Sequence, residues 1–178
     1  MTDEFKLSAT EVGQAVDRLA EAIAERHSSN HNLLLAGIAE GGVGMARRLA
    51  AKVGELLGRE VPVGAIDVSF HRDDIGSNPI PEVGAPTNLP PEVEGSTCIL
   101  IDDVIFSGRT IRAALNELFD QGRPECVELA VLVDRGHRRL PFAVNYEGLA
   151  LETKPDQNVE VCVGENESAA DHVTVTTA

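Results

Sequence analysis

"CILIDDVIFSGRT", Cys98 to Thr110, is the stretch on which the reading of this chain turns. An unbroken apolar run ends in two adjacent carboxylates, Asp102 and Asp103, and a turn of small and hydroxyl-bearing residues opens a helical period. Phe106, Ser107, Gly108, Arg109 and Thr110 form that turn. The first amides of a helix have no partner within it, and the helix dipole adds positive potential, so the turn suits a phosphate. Ser107 and Thr110 can donate hydroxyl hydrogen bonds to the same group, and Gly108 permits close backbone approach. Carboxylates repel phosphate but accept hydrogen bonds from vicinal hydroxyls. One ligand with two ends, phosphate and free hydroxyls, satisfies both halves, and a ribose 5-phosphate is the simplest such ligand. Neither G-x-x-x-x-G-K-[ST] nor G-x-G-x-x-G occurs in the chain, which excludes a nucleotide P-loop and a dinucleotide fingerprint.

Outward from this stretch, helices and strands alternate. Ser8-Ala-Thr-Glu11 reads as a capping box, and Val12, Val16, Leu19 and Ile23 follow at helical spacing, predicting a helix over 9–27. Asn32–Ile38 is a continuous apolar run, as in a strand buried on both faces. Ala39-Glu40-Gly41-Gly42 breaks it, a helical period resumes up to Gly58, and Val61–Phe70 reads as the next strand. Residues 71–97 are rich in proline and glycine without periodicity, and are expected to form a long mobile loop, possible as a lid over a ligand or as a plain surface excursion. Then come a strand at 98–102, a helix from Gly108 to Gln121 with Ile111, Ala114, Leu115 and Leu118 inward, and a stop at Gly122 and Pro124. Cys126–Asp134 is another apolar strand, whereas Asn158–Val163 and His172–Thr177 alternate and read as antiparallel edge strands.

This alternation predicts an α/β fold: a mostly parallel central sheet of about five strands flanked by helices, with a small hood from terminal segments. Ligands of such sheets bind beyond the carboxyl ends of the strands. Three chain breaks fall there, after Ile38, after Asp103 and after Asp134, so the site is expected at those loops.

Composition narrows the function classes. With 178 residues, a single domain over 1–178 is expected. Aromatics are 3% of the chain, too few for stacking platforms that hold single-stranded nucleic acid. Twenty-nine acids against 15 Lys and Arg give a net charge of −14, a field that repels nucleic acid unless the cations are gathered together. "DRGHRR", with Arg135, Arg138 and Arg139 around His137, gathers some of them. Cys98, Cys126 and Cys162 form no C-x-x-C pair and are expected to be small buried residues. The apolar runs are too short to span a bilayer, and "MTDEFK" is unlike a signal peptide, so no membrane association and a cytoplasmic location are expected.

The opening stretch resembles the phosphoribosyl-pyrophosphate motif of type I phosphoribosyltransferases. "IRAALNELFDQGRPECVELAVLVDRGHRRLP" and "DVSFHRDDI" narrow the likeness to the pyrimidine-operon attenuator/uracil phosphoribosyltransferase family, PyrR, over most of residues 8–148, with a poor match beyond Gly148. The resemblance implies the type I phosphoribosyltransferase fold and the conversion of uracil and phosphoribosyl pyrophosphate to uridine monophosphate and pyrophosphate, with Mg²⁺. It implies that Asp102 and Asp103 hold the ribose hydroxyls and Phe106–Thr110 the 5-phosphate. Ala39, Glu40, Gly41 and Gly42 would be the pyrophosphate loop. Arg72, a catalytic residue, would begin the lid with Asp73 and Asp74. Asp134, Arg135, Gly136 and His137 would flank the base, with Asp102 and, through water, Asp134 near the metal. A homodimer or tetramer is implied as well.

Two departures stand against the family pattern. The pyrophosphate loop, typically G-I-K-T-R-G, reads "GIAEGG" here, without a cation and with Glu40 added. This leaves a uridine monophosphate- or phosphoribosyl-pyrophosphate-sensing regulator with weak or no catalysis as the alternative to the enzyme. The attenuators' RNA contacts in the first helix fall at Asp17 and Glu21, and their arginine and lysine after "ELP" fall at Ala143 and Leu149. RNA is therefore not an expected partner.

Overall fold

The computed structural model describes residues 5–69 and 86–177. Its centre is a five-stranded parallel sheet of β2 (Leu33–Ile38), β3 (Val63–Ile66), β4 (Thr97–Ile105), β5 (Cys126–Asp134) and β6 (Tyr146–Ala150), in the order β3-β2-β4-β5-β6. Both faces are covered, which is why the central strands read as unbroken apolar runs; all six residues of β2 are buried. On one face, Leu33, Leu35, Ile99, Ile101, Ala130 and Leu132 meet α1 (Ala9–Arg26) and α2 (Ala39–Leu57). On the other, Leu34, Ala36, Leu100 and Val131 meet Ile111, Ala114 and Leu118 of α3 (Arg109–Gln121).

The helix ends follow local chemistry. Ser8 and Glu11 close the capping box at α1, with the Ser8 amide donating to Glu11 at 2.8 Å. α2 stops at Gly58, whose φ of 65° lies in the left-handed region that glycine enters without strain.

A second sheet carries the expected hood, and both chain ends build it. β1 (Phe5–Leu7) pairs antiparallel with β8 (His172–Thr177), which pairs antiparallel with β7 (Gln157–Cys162). Asp171 anchors this hood to α2 through a buried ion pair with Arg48 at 2.6 Å.

Several expectations need correction. β4 runs to Ile105, so Asp102 and Asp103 lie inside the strand rather than after it. α2 begins at Ala39 directly after β2, so residues 39–42 form its first turn and not a separate loop; Ala39 has a φ of 51° at that corner. Not all of 71–97 is irregular excursion. Asn88 exchanges backbone hydrogen bonds with Ala65 at 2.9 Å, residues 91–93 form a 3-10 turn, and Val93 is buried. Only Cys98 of the cysteines is buried, its thiol pushed up to about 12 by burial. Cys126 and Cys162 are exposed because they stand at strand ends, first in β5 and last in β7. Leu115 is only partly buried, and Ala113 takes its place on the inner face of α3. Among the described residues, no helix is long and apolar enough to cross a membrane.

Candidate active site

The carboxyl ends of β2, β4 and β5 converge because the three strands are parallel neighbours: Gly37 stands beside Ile101, and Ile105 beside Asp134. Each strand therefore delivers its following segment to one edge of the sheet.

Asp102 is 5% exposed and Asp103 half-buried. Burial, and after it the charge of Asp103, holds the Asp102 carboxyl well above the usual carboxylate range. The Asp103 amide donates to Asp102 Oδ1 at 3.0 Å, and the Val104 amide to Asp103 Oδ1 at 2.8 Å. The Asp103 carboxylate lies against the first turn of α2, where a Cβ on Gly41 would collide with it. A Cβ on Gly42 would collide with the carbonyl of Ile101. The two glycines thus let the α2 terminus approach β4 closely.

Gly108 is the N-cap of α3, with a φ of 90° and no side-chain cap. A Cβ there would fall 2.9 Å from the Phe142 ring. With no side chain at its N-cap, α3 presents its first amides beside Ser107 and Thr110, the arrangement that suits an anion. Ser107 Oγ accepts from the Arg109 amide at 3.4 Å. The Ser107 carbonyl accepts the amides of Arg139 (3.0 Å) and Leu140 (3.1 Å), which knits this turn to the segment after β5.

That segment lines a cavity of about 480 Å³ with Asp134, Arg135, Gly136, His137 and Arg138 on one side and Leu151, Glu152 and Thr153 on the other. Asp134 accepts from the Gly136 amide at 2.9 Å on one oxygen and from the Arg138 guanidinium on the other. Arg135 is 7% exposed and turns away from solvent: it donates to Thr153 Oγ1 (3.2 Å) and to the carbonyls of Lys154 (3.3 Å) and Gln157 (2.6 Å). Its guanidinium stands 4.4 Å from the centre of the Phe106 ring. The His137 ring meets the Thr153 carbonyl and packs edge-on to Phe106 at 6.1 Å.

The structure therefore brings together Asp102, Asp103, Phe106–Thr110 and Asp134–His137, with the Gly41–Gly42 turn against Asp103. Arg72, with Asp73 and Asp74, and the side chain of Glu40 lie outside the described residues. Sequence reasoning missed Leu151, Glu152 and Thr153. The three follow an exposed edge strand, and no motif marks them.

These features define a phosphoribosyltransferase, and the comparisons with known proteins agree. Residues 7–166 match the phosphoribosyl transferase domain family. A hypoxanthine-guanine phosphoribosyltransferase of Bacillus anthracis shares the fold with a TM-score of 0.65 at 19% identity, over 97% of this chain and 96% of that one. The bifunctional protein PyrR of Herpetosiphon aurantiacus is 42% identical over 176 residues, 98% of this chain and 98% of its own length. That of Corynebacterium diphtheriae is 45% identical over 164 residues, 89% of this chain and 86% of its own. This chain belongs to the PyrR family. The alignment over 98% of the chain takes in the tail beyond Gly148 as well.

Proposed function

We propose that this chain is a uracil phosphoribosyltransferase, forming uridine monophosphate and pyrophosphate from uracil and phosphoribosyl pyrophosphate. The observation that carries the reading is the adjacency of the Asp102–Asp103 carboxylates to the α3 terminus, with a cavity of about 480 Å³, ample for a base, at the end of the next strand. Ribose hydroxyls donate to the carboxylates, the 5-phosphate sits on Phe106–Thr110, and the base enters between residues 134–138 and 151–153. The amides of the first α2 turn face the leaving pyrophosphate. These residues position the reactants and stabilise charge; little covalent chemistry falls to the protein.

The donor set fits Mg²⁺, which is commonly held by one or two carboxylates together with substrate phosphates. Asp102 and Asp103 would hold it. Asp134 is less suited, because both of its oxygens already accept hydrogen bonds. When bound there, the ion would supply charge neutralisation for the leaving pyrophosphate.

A second reading, a nucleotide-sensing regulator with little turnover, is favoured by one feature: the first turn of α2 carries Ala39, Gly41 and Gly42 and no cation. In both readings the protein works in the cytoplasm, as a homodimer or tetramer, without an RNA partner. The site itself is tested by titrating uridine monophosphate into the chain and into its Asp102→Asn/Asp103→Asn variant. Affinity is expected to fall about tenfold or more, as for the loss of hydrogen bonds to charged groups. Equal affinity would show that the ribose binds elsewhere.

A further inference from the structure

We propose that Arg135 is a positioning residue that couples the sugar-phosphate half of the site to the base half, so that filling one half tightens the other. The proposal rests on the site assignment above. Its starting point is a guanidinium that the motif places next to the base but that the fold commits elsewhere. Three of its hydrogen bonds reach beyond β6: the Thr153 hydroxyl and the Lys154 carbonyl in the segment before β7, and the Gln157 carbonyl at the first residue of β7. The Thr153 hydroxyl answers by donating to the Arg135 carbonyl at 3.1 Å. Arg135 thereby sets the position of the far wall of the cavity, which Thr153 helps to line.

The same guanidinium lies over the ring of Phe106, which belongs to the proposed phosphate turn. Arginine suits this double use: its planar fork binds several acceptors in fixed directions while its face rests on an aromatic ring. Phe106 is still 38% exposed, so the stack is open on one side to whatever the turn binds. A phosphate that orders residues 106–110 fixes the ring, the ring fixes the guanidinium, and the guanidinium fixes Thr153. Backbone contacts support the same connection. Ser107 accepts the Arg139 and Leu140 amides, and the Arg135 amide donates to Ile105 at 3.3 Å. The segment after β5 is thus held to the phosphate turn on one side and to the cavity wall on the other. By linkage, the effect is reciprocal: the base pre-orders the phosphate turn as much as the phosphate pre-orders the base wall.

The test is calorimetric titration of uracil into the full chain, alone and in saturating ribose 5-phosphate. The unaltered chain is expected to bind uracil about fivefold tighter or more in the sugar phosphate, the lower end of ordinary coupling. Arg135→Met, which cuts the hydrogen bonds and the stack, should bring that ratio close to one. Phe106→Leu should do the same by removing the Arg135 contact together with the edge contact to His137, and as a half-exposed residue it leaves the core intact if Arg135→Met fails to fold. Arg135→Lys should not rescue the ratio, because an ammonium lacks the fork. A merely structural role would weaken both titrations by the same factor and leave the ratio standing. A ratio near one in the unaltered chain, or one that survives in Phe106→Leu, would overturn the coupling. Failure of uracil and ribose 5-phosphate to bind the unaltered chain at all would instead overturn the site assignment beneath it.

Discussion

At Asp102, use and stability pull in opposite directions. A buried carboxyl beside a second carboxylate is held well above its ordinary pKa, so the folded chain binds that proton more tightly than the unfolded chain does. Its contribution to stability is therefore greatest at low pH and is lost as pH rises from the unfolded value, about 3.9, towards the raised folded one. Asp102→Asn keeps the shape and removes the titration. In chelator-treated buffer without sugar phosphate, the variant is expected to melt a few degrees above the parent at pH 8, since 1 kcal/mol moves a chain of this size by about 2–4 °C. The gap should close near pH 4. A gap that is absent at pH 8, or that does not change with pH, would show that Asp102 is not strained in the free protein. Such strain at a binding carboxylate is what a ligand carrying hydroxyls and a cation would relieve.

Among the elements, the junction of β2 with α2 matters most for catalysis. Helix α2 starts with no intervening loop, and its glycines bring its amides against β4. Gly41→Ala would push its methyl into the Asp103 carboxylate. It is expected to raise the KM for phosphoribosyl pyrophosphate about tenfold or more, as for the loss of a good hydrogen bond to a charged group, and to change the KM for uracil much less. Equal changes in both would place the glycine outside the leaving-group site. The central strands and helices α1, α2 and α3 were legible because burial on both faces writes continuous apolar runs, and helices write a period. β6 was not, since only Tyr146 of its five residues is buried and Gly148 interrupts it. The extent of β4 was missed for the opposite reason: Asp102 and Asp103 read as a strand end, yet parallel pairing with β5 carries the ladder past them to Ile105. The role of Arg135 was out of reach because its acceptors, Thr153, Lys154 and Gln157, lie 18 to 22 residues further on and two of them are backbone carbonyls.

Across the whole molecule, net charge of −14 is reinforced by how the cations are spent. Lys52 pairs with Asp17 at 2.6 Å and Arg47 with Glu165 at 3.1 Å, so cations on α2 are matched by acids rather than gathered into a patch. Glu21, one helical turn after Asp17 on α1, is exposed as well. A phosphate backbone gains little from such a surface, and its binding weakens steeply with salt. A pyrimidine leader transcript is expected to show no saturable binding at about 150 mM salt, by filter retention or anisotropy; saturable binding at that salt would restore the regulatory role to RNA. At one edge of the sheet, three strands bring together two carboxylates, the N-terminus of α3 and a cavity, the groups on which the proposed reaction rests. The most direct measurement is the appearance of uridine monophosphate when the chain is incubated with uracil, phosphoribosyl pyrophosphate and Mg²⁺. The expected result is stoichiometric release of uridine monophosphate and pyrophosphate over many turnovers. Tight binding of uridine monophosphate with no turnover would contradict the enzyme and leave the sensor.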